Sequence, residues 1–163
     1  MSNENVISFA KEHLISIKLD AWNDSVGKEL FSQYKGYAIP LLIFLDNKGE
    51  EIERILGYKK HDEFLSILND VIHNKNTFMD LFEKYENGNR DFGLIDKLSI
   101  KSEIRNDAAL SSDLYQIILD NPESFSNDSI ERAELYFAKI DVKNSDLYKI
   151  NRFIIIYEGS DNI

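Results

Sequence analysis

Apolar positions in the first part of the chain change from helical to strand spacing and back. Residues 4–13 place four apolar side chains on roughly one side of a helix, which Ser2 can cap at its start. Residues 14–20, LISIKLD, alternate between apolar and polar positions and predict a strand. Residues 26–34 return to helical spacing. The chain is therefore predicted to begin with a helix, a strand and a second helix.

The most strand-like run, LLIFL at 41–45, follows Pro40 directly. It is apolar at every position, which predicts a strand covered on both faces. The residues DNKG after it predict a hairpin turn in which Gly49 has a positive φ. A second alternating run, 50–58, completes the hairpin. Because a helix joins 14–20 to 41–45, these two strands should be parallel, and the third should be antiparallel to the second.

Helical spacing dominates from residue 63 onward. Residues 63–73 predict a helix that Asp62 caps. Thr77 with Asp80 marks the start of the next helix, and Gly88 marks its end. Further helices are predicted over 91–105, 111–120, 128–140 and 145–157.

Local signals mark the ends of these later helices. Pro122 should end the helix before it, and Asp128 with Glu131 has the spacing of a capping box. The run FIIIYE at 153–158 is rich in β-branched residues and permits a strand. It also continues the apolar spacing of the last helix, and we favour the helix.

These elements predict an α/β protein in two parts. Residues 1–75 should form a partial domain in which helices flank an incomplete sheet. Residues 76–163 should form an α-helical C-terminal domain. No repeat of fixed period is found among its helices.

Composition narrows the classes of function. The formal net charge of −10 disfavours nucleic acid, because each phosphate contact needs a Lys or Arg. No apolar stretch approaches the ~20 residues of a membrane span, and the first residues do not resemble a signal peptide. The sequence has no cysteine, which excludes disulfides, thiolate nucleophiles and thiolate metal sites in this chain. The absence of cysteine fits any redox environment and does not indicate the cellular compartment.

The sequence shows no motif for a cofactor, a metal or acid–base catalysis. His13, His61 and His73 have no partner at the spacing of a metal motif. The many carboxylate pairs suit solvated faces of an acidic chain. No phosphate loop or dinucleotide fingerprint occurs. We therefore expect no metal and no cofactor.

Four segments in order resemble the C-terminal part of a thioredoxin-like domain: LISIKLD, ELFSQYKGYAIP, LLIFLDNKGEEIERILGY and DEFLSIL. The resemblance covers residues 4–73. It implies that Pro40 is the family's cis-proline, beside which an extended substrate segment pairs with the backbone. The substrate-binding residues that it implies are Tyr37, Ala38, Ile39 and Pro40.

The chain departs from the family pattern in three places. Leu41 follows the proline where the family usually has Thr, and Gly36 stands where a branched residue is usual. The family's central strand, its Trp-Cys-x-x-Cys turn and the following helix have no counterpart here. Trp22 follows a different strand and is expected to be a packed or half-exposed aromatic. The resemblance implies thiols upstream of Met1.

The absent central strand should leave its two neighbours unpaired, which is costly for buried backbone. We therefore expect a replacement: rearranged pairing, a partner chain, or residues 153–158.

Two functions follow from the sequence. The first is the substrate-binding half of a thiol–disulfide oxidoreductase, redox-inactive as given because the chain has no cysteine. The second is a non-catalytic interaction module built on a degenerate thioredoxin-like fold. Both predict a protein or peptide partner, and the unpaired sheet edge permits a homo-oligomer.

Overall fold

The computed structural model describes residues 4–144, with side chains through residue 140, and shows a mixed α/β fold. Within this range lie seven α-helices and one two-stranded antiparallel sheet. The elements are α1 Glu4–His13, α2 Ser25–Gln33, β1 Leu41–Leu45, β2 Glu51–Leu56, α3 His61–Ile72, α4 Phe78–Glu86, α5 Phe92–Ile104, α6 Ala108–Asp120 and α7 Asn127–Asn144. A single 3₁₀ turn, Pro122–Ser124, separates α6 from α7.

Side-chain caps start α2, α4, α5, α6 and α7, with Asp107 as the cap of α6 and Ser126 as the cap of α7. Asp24 accepts a hydrogen bond from the N–H of Val26 at α2, and Thr77 accepts one from the N–H of Asp80 at α4. Asp91 accepts a hydrogen bond from the N–H of Leu94 at the start of α5. The predicted cap at Asp62 is wrong. Helix α3 begins at His61, one residue earlier, so Asp62 lies in the first turn, and no side-chain hydrogen bond caps this helix.

The hairpin between β1 and β2 is confirmed. The Asp46 carboxylate accepts hydrogen bonds from the N–H groups of Lys48 and Glu50, both at 2.8 Å, and fixes the turn. Gly49 has the expected positive φ of 84°. In the sheet Leu41 is opposite Leu56 and Ile43 is opposite Arg54, with an irregularity at Leu45.

The predicted strand over 14–20 is wrong, because these residues have no regular secondary structure. A strand is defined by pairing with a neighbouring strand, and no described strand pairs with this segment. Alternating polarity alone was therefore not enough to predict a strand here. The sheet also lacks the parallel pairing expected between 14–20 and β1.

The helices predicted from residue 76 onward are present as far as residue 144. Pro122 follows the end of α6, as expected. The capping box at Asp128 and Glu131 is wrong, since α7 begins one residue earlier and Ser126 accepts a hydrogen bond from the N–H of Ser129. Ser2, the helix over 145–157 and the run 153–158 lie outside the described residues.

The chain divides into two compact units, residues 1–111 and 112–163, with the division inside α6. In the first unit, α4 and α5 both contact β2, although the sequence assigned them to a separate helical region. Buried apolar side chains in this unit come from β2, α3, α4 and α5: Ile55, Leu68, Val71, Phe78, Leu81, Leu94, Ile95 and Leu98. In the second unit, Tyr115 and Tyr136 pack with ring centroids 4.7 Å apart.

Candidate functional site

A groove of about 980 Å³ opens in the first unit, near the upper end of the size range of ligand pockets. Three parts of the chain line it: residues 17–22, the inner face of α2, and residues 39–45. Most of the lining side chains are aliphatic or aromatic. The titratable ones among them are Lys18, Asp20 and Tyr34.

Helix α2 forms one wall of the groove because a glycine allows close approach. Gly27 is buried, and a Cβ added to it would lie 2.3 Å from the carbonyl oxygen of Asp20. Any larger side chain would therefore push the helix away from the turn at residues 20–21. Leu30 and Phe31 of the same helix, and Tyr34 directly after it, contribute surface to the groove.

The turn after residue 19 is held by the Asp20 carboxylate. It accepts hydrogen bonds from the N–H of Trp22 at 2.8 Å and from the N–H of Asn23 at 3.0 Å. A side-chain hydrogen bond from Asn23, with these backbone bonds, lowers the pKa of Asp20 below its ordinary value. The turn sets the Trp22 ring 6.1 Å from that of Phe31, centroid to centroid.

One edge of β1 borders this groove and has no backbone partner among the described residues. Gly57 donates its N–H to the carbonyl of Pro40, which makes these two a hydrogen-bonded pair. Since such pairs alternate along an antiparallel ladder, Leu42 and Phe44 bond to β2, while the N–H and C=O groups of Leu41 and Ile43 point outward. No described strand pairs with that outer edge.

The opposite edge of the sheet is closed by charged side chains. The Glu53 carboxylate accepts hydrogen bonds from the N–H of Arg54 at 3.0 Å and from the N–H of Phe78 at 3.1 Å. Glu53 also pairs with Lys101. Buried charge and flanking helices protect this edge, so strand addition to the described sheet is open only at β1.

Apolar side chains are exposed around the groove to an unusual degree. Ile15 is 96% exposed, Ile17 is 78% exposed and Trp22 is 62% exposed. Leu19, Val26 and Leu45 are exposed as well. Single exposed apolar residues are ordinary, whereas a set of them beside an apolar groove is the kind of surface from which an interaction site can be proposed.

The structure places two of the four predicted substrate-binding residues on the groove. Ile39 and Pro40 line it, Ile39 is 57% exposed, and the bond between them is cis, as the resemblance implies. Tyr37 and Ala38 do not line it. Burial, and then the charge of Glu103, raise the pKa of the Tyr37 phenol.

The sequence missed the part of the site formed by Trp22 and α2. Neither belongs to the segment directly before Pro40, and the fold brings them to the same groove. The glycine at position 27, buried inside a helix, was the available signal.

A second, smaller cavity of about 230 Å³ is polar. Lys35, Arg54 and Arg105 line it together with Glu51 and Asp107. The carboxylates pair with or lie near the cations, and Glu51 is within 2.6 Å of Arg54 and 2.8 Å of Arg105. These charges largely balance one another, and the cluster joins β2 to α5.

The lining of the groove is mostly apolar. Among the described residues that form it there is no histidine, serine or threonine. In the part of the chain that the structure describes, no group of three or more His, Asp and Glu side chains is placed to hold a metal ion. None of the described helices is long and apolar enough to cross a membrane.

Comparison with known proteins leaves the fold without an identified relative. No protein-family model matches the sequence, and no curated protein or solved structure matches it either. The thioredoxin-like resemblance therefore stays a prediction.

Proposed function

We propose that the first unit binds an extended segment of a partner protein in the groove, through strand addition to the outer edge of β1. The observation that carries this proposal is the position of the unpaired N–H and C=O groups of Leu41 and Ile43 beside an apolar groove. Strand addition obtains affinity from backbone hydrogen bonds and specificity from pockets for alternate side chains.

The length of β1 suits an extended peptide as the ligand. Five residues of β1 present an edge about 17 Å long at ~3.3 Å per residue. A partner segment of about five residues in extended form matches that edge. Apolar side chains on it would contact Leu30, Phe31 and Trp22.

The charge of the chain indicates the flanks of the partner. At a net charge of −10 the protein attracts basic ligands and repels acidic ones. The favoured partner is an uncharged, apolar strand with lysine or arginine on either side. Its association should slow as salt is added.

The thioredoxin-like resemblance suggests a second candidate function, the substrate-binding half of a thiol–disulfide oxidoreductase. The exposure of Ile39 at the rim of the groove favours it. The chain has no cysteine, so the thiols would have to come from residues outside this sequence. In both candidates the task of this chain is to hold a peptide.

Fluorescence anisotropy with a labelled peptide tests the proposal. The probe has the core Val-Thr-Val-Ile-Val with two lysines at each end. Ile43→Pro removes one outward N–H and leaves the bonds to β2 in place, a substitution that edge strands tolerate. We expect it to weaken binding at least about tenfold, which corresponds to ~1.4 kcal/mol.

Ile43→Val keeps the N–H and serves as the matched control, with binding expected within about threefold of the native chain. Circular dichroism should show that both variants remain folded. Equal binding by Ile43→Pro and Ile43→Val, or no binding of the peptide by the native chain, would contradict strand addition at β1.

A further inference from the structure

We infer that the bound segment becomes the central strand of a four-stranded sheet, with residues 15–19 as a new strand on its far side. This inference rests on the proposed function and adds a role for the part of the groove that residues 17–19 line. The order of strands would be β2, β1, the partner segment, and residues 15–19.

The connection of the chain around the groove supports this arrangement. Residues 14–20 lead into α2, and α2 leads back to β1. A strand–helix–strand unit places its two strands parallel, with the helix across one face. In this protein both strand positions line the groove, through residues 17–19 and 41–43. The bound segment would lie between them.

The side chains of residues 15–19 match this role. Their polarity alternates as in a strand, yet the segment has no backbone partner among the described residues. Ile15 and Ile17 are the most exposed of the large aliphatic side chains named above. A bound strand supplies the missing ladder and brings this segment into a sheet.

An enclosed strand places stricter requirements on the sequence of the partner segment than a strand bound at one edge. A segment bound at one edge pairs through every second residue and leaves its other backbone groups in water. A segment enclosed on both sides uses the N–H groups of successive residues. The partner core is therefore five consecutive residues without proline, uncharged on both faces.

An N-methyl scan of the same lysine-flanked peptide separates the two cases. Each of the five core residues is N-methylated in turn, and binding to the native chain is measured by anisotropy. We expect every core position to lose at least about fivefold in affinity, since each N–H donates to one wall or the other. Methylation of the outermost lysines is the control and should leave affinity unchanged.

The pattern of losses distinguishes the possible failures. Loss at alternate positions only would overturn the enclosed strand and leave binding at β1 standing. Loss at none would overturn both. A free chain that is already dimeric, and that Ile43→Pro makes monomeric, would show that a second copy occupies the edge and would also overturn the inference.

Amide hydrogen exchange of the complex provides the second readout. Residues 15–19 should gain protection when the peptide binds, together with β1. Protection confined to β1 would contradict the inference, even where the N-methyl scan shows losses throughout.

Discussion

At the level of single residues, one carboxylate connects two elements of the first unit. Glu51 on β2 accepts hydrogen bonds from Nε and Nη2 of Arg54, both at 2.6 Å, and its Oε1 lies 2.8 Å from Nη1 of Arg105. The side chains of Glu51 and Arg54 are 5% and 3% exposed. Both guanidinium groups therefore depend on one buried acid for charge balance at this point.

Replacing Glu51 should destabilise the folded state. We expect Glu51→Gln to lower the free energy of unfolding by about 3–5 kcal/mol, because the buried Arg54 then lacks its charged partner. Urea denaturation measures the change. The control is Glu63→Gln at the exposed pair with Lys59, where about 0–1 kcal/mol is expected. Equal effects at the two sites would contradict the structural role of Glu51.

Asp46 gives a prediction on pH. The backbone N–H groups of Glu50 and Lys48 hold the pKa of its carboxyl below the ordinary value of 3.8. Because the folded pKa is the lower one, the carboxylate stabilises the fold above the unfolded pKa, and this stabilisation is lost as pH falls through the folded pKa. Asp46→Asn keeps an oxygen acceptor but cannot titrate.

The native chain should therefore lose more stability than Asp46→Asn between about pH 5 and about pH 3. Urea midpoints across this range measure the difference. Parallel loss in the two proteins would show that Asp46 does not contribute to the acid sensitivity.

At the level of elements, the turn and most helices were predicted correctly from local signals, whereas the local cap signals at Asp62 and Asp128 and the strand at 14–20 were wrong. The hairpin and the cap at Thr77 follow from adjacent residues, because the turn and the cap are made there. Residues 14–20 have the polarity of a strand, but the segment lacks the neighbour that would pair with it. The link between Glu51 and Arg105 joins positions over fifty residues apart, and no local pattern contains it.

The contact of α2 with the turn before it gives a second test of packing. Gly27→Ala places a methyl group against the Asp20 carbonyl, and we expect a loss of about 1–3 kcal/mol in the free energy of unfolding. Lys28→Ala, at the neighbouring exposed position, should change it by at most about 0.5 kcal/mol.

Trp22 reports on the same contact. It is the single tryptophan of the chain and lies in the wall of the groove, so its emission should change in Gly27→Ala and not in Lys28→Ala. Unchanged stability and emission in Gly27→Ala would contradict the close approach of α2.

At the level of the whole molecule, the chain combines an apolar groove with the absence of cysteine. It should therefore show no disulfide reductase activity by itself. An insulin-reduction assay without metal ions measures this, and a thioredoxin supplies the positive control. Measurable turnover by the chain alone would contradict a role confined to binding.

The proposed binding depends most on one strand edge, and amide hydrogen exchange resolved by residue tests it most directly. In the free protein the N–H groups of Leu41 and Ile43 should exchange much faster than those of Leu42 and Phe44, which bond to β2. Saturation with the lysine-flanked peptide should slow Leu41 and Ile43 and leave the other pair unchanged. If all four amides are equally protected in the free protein, or if the peptide changes none of them, the edge is not the binding site.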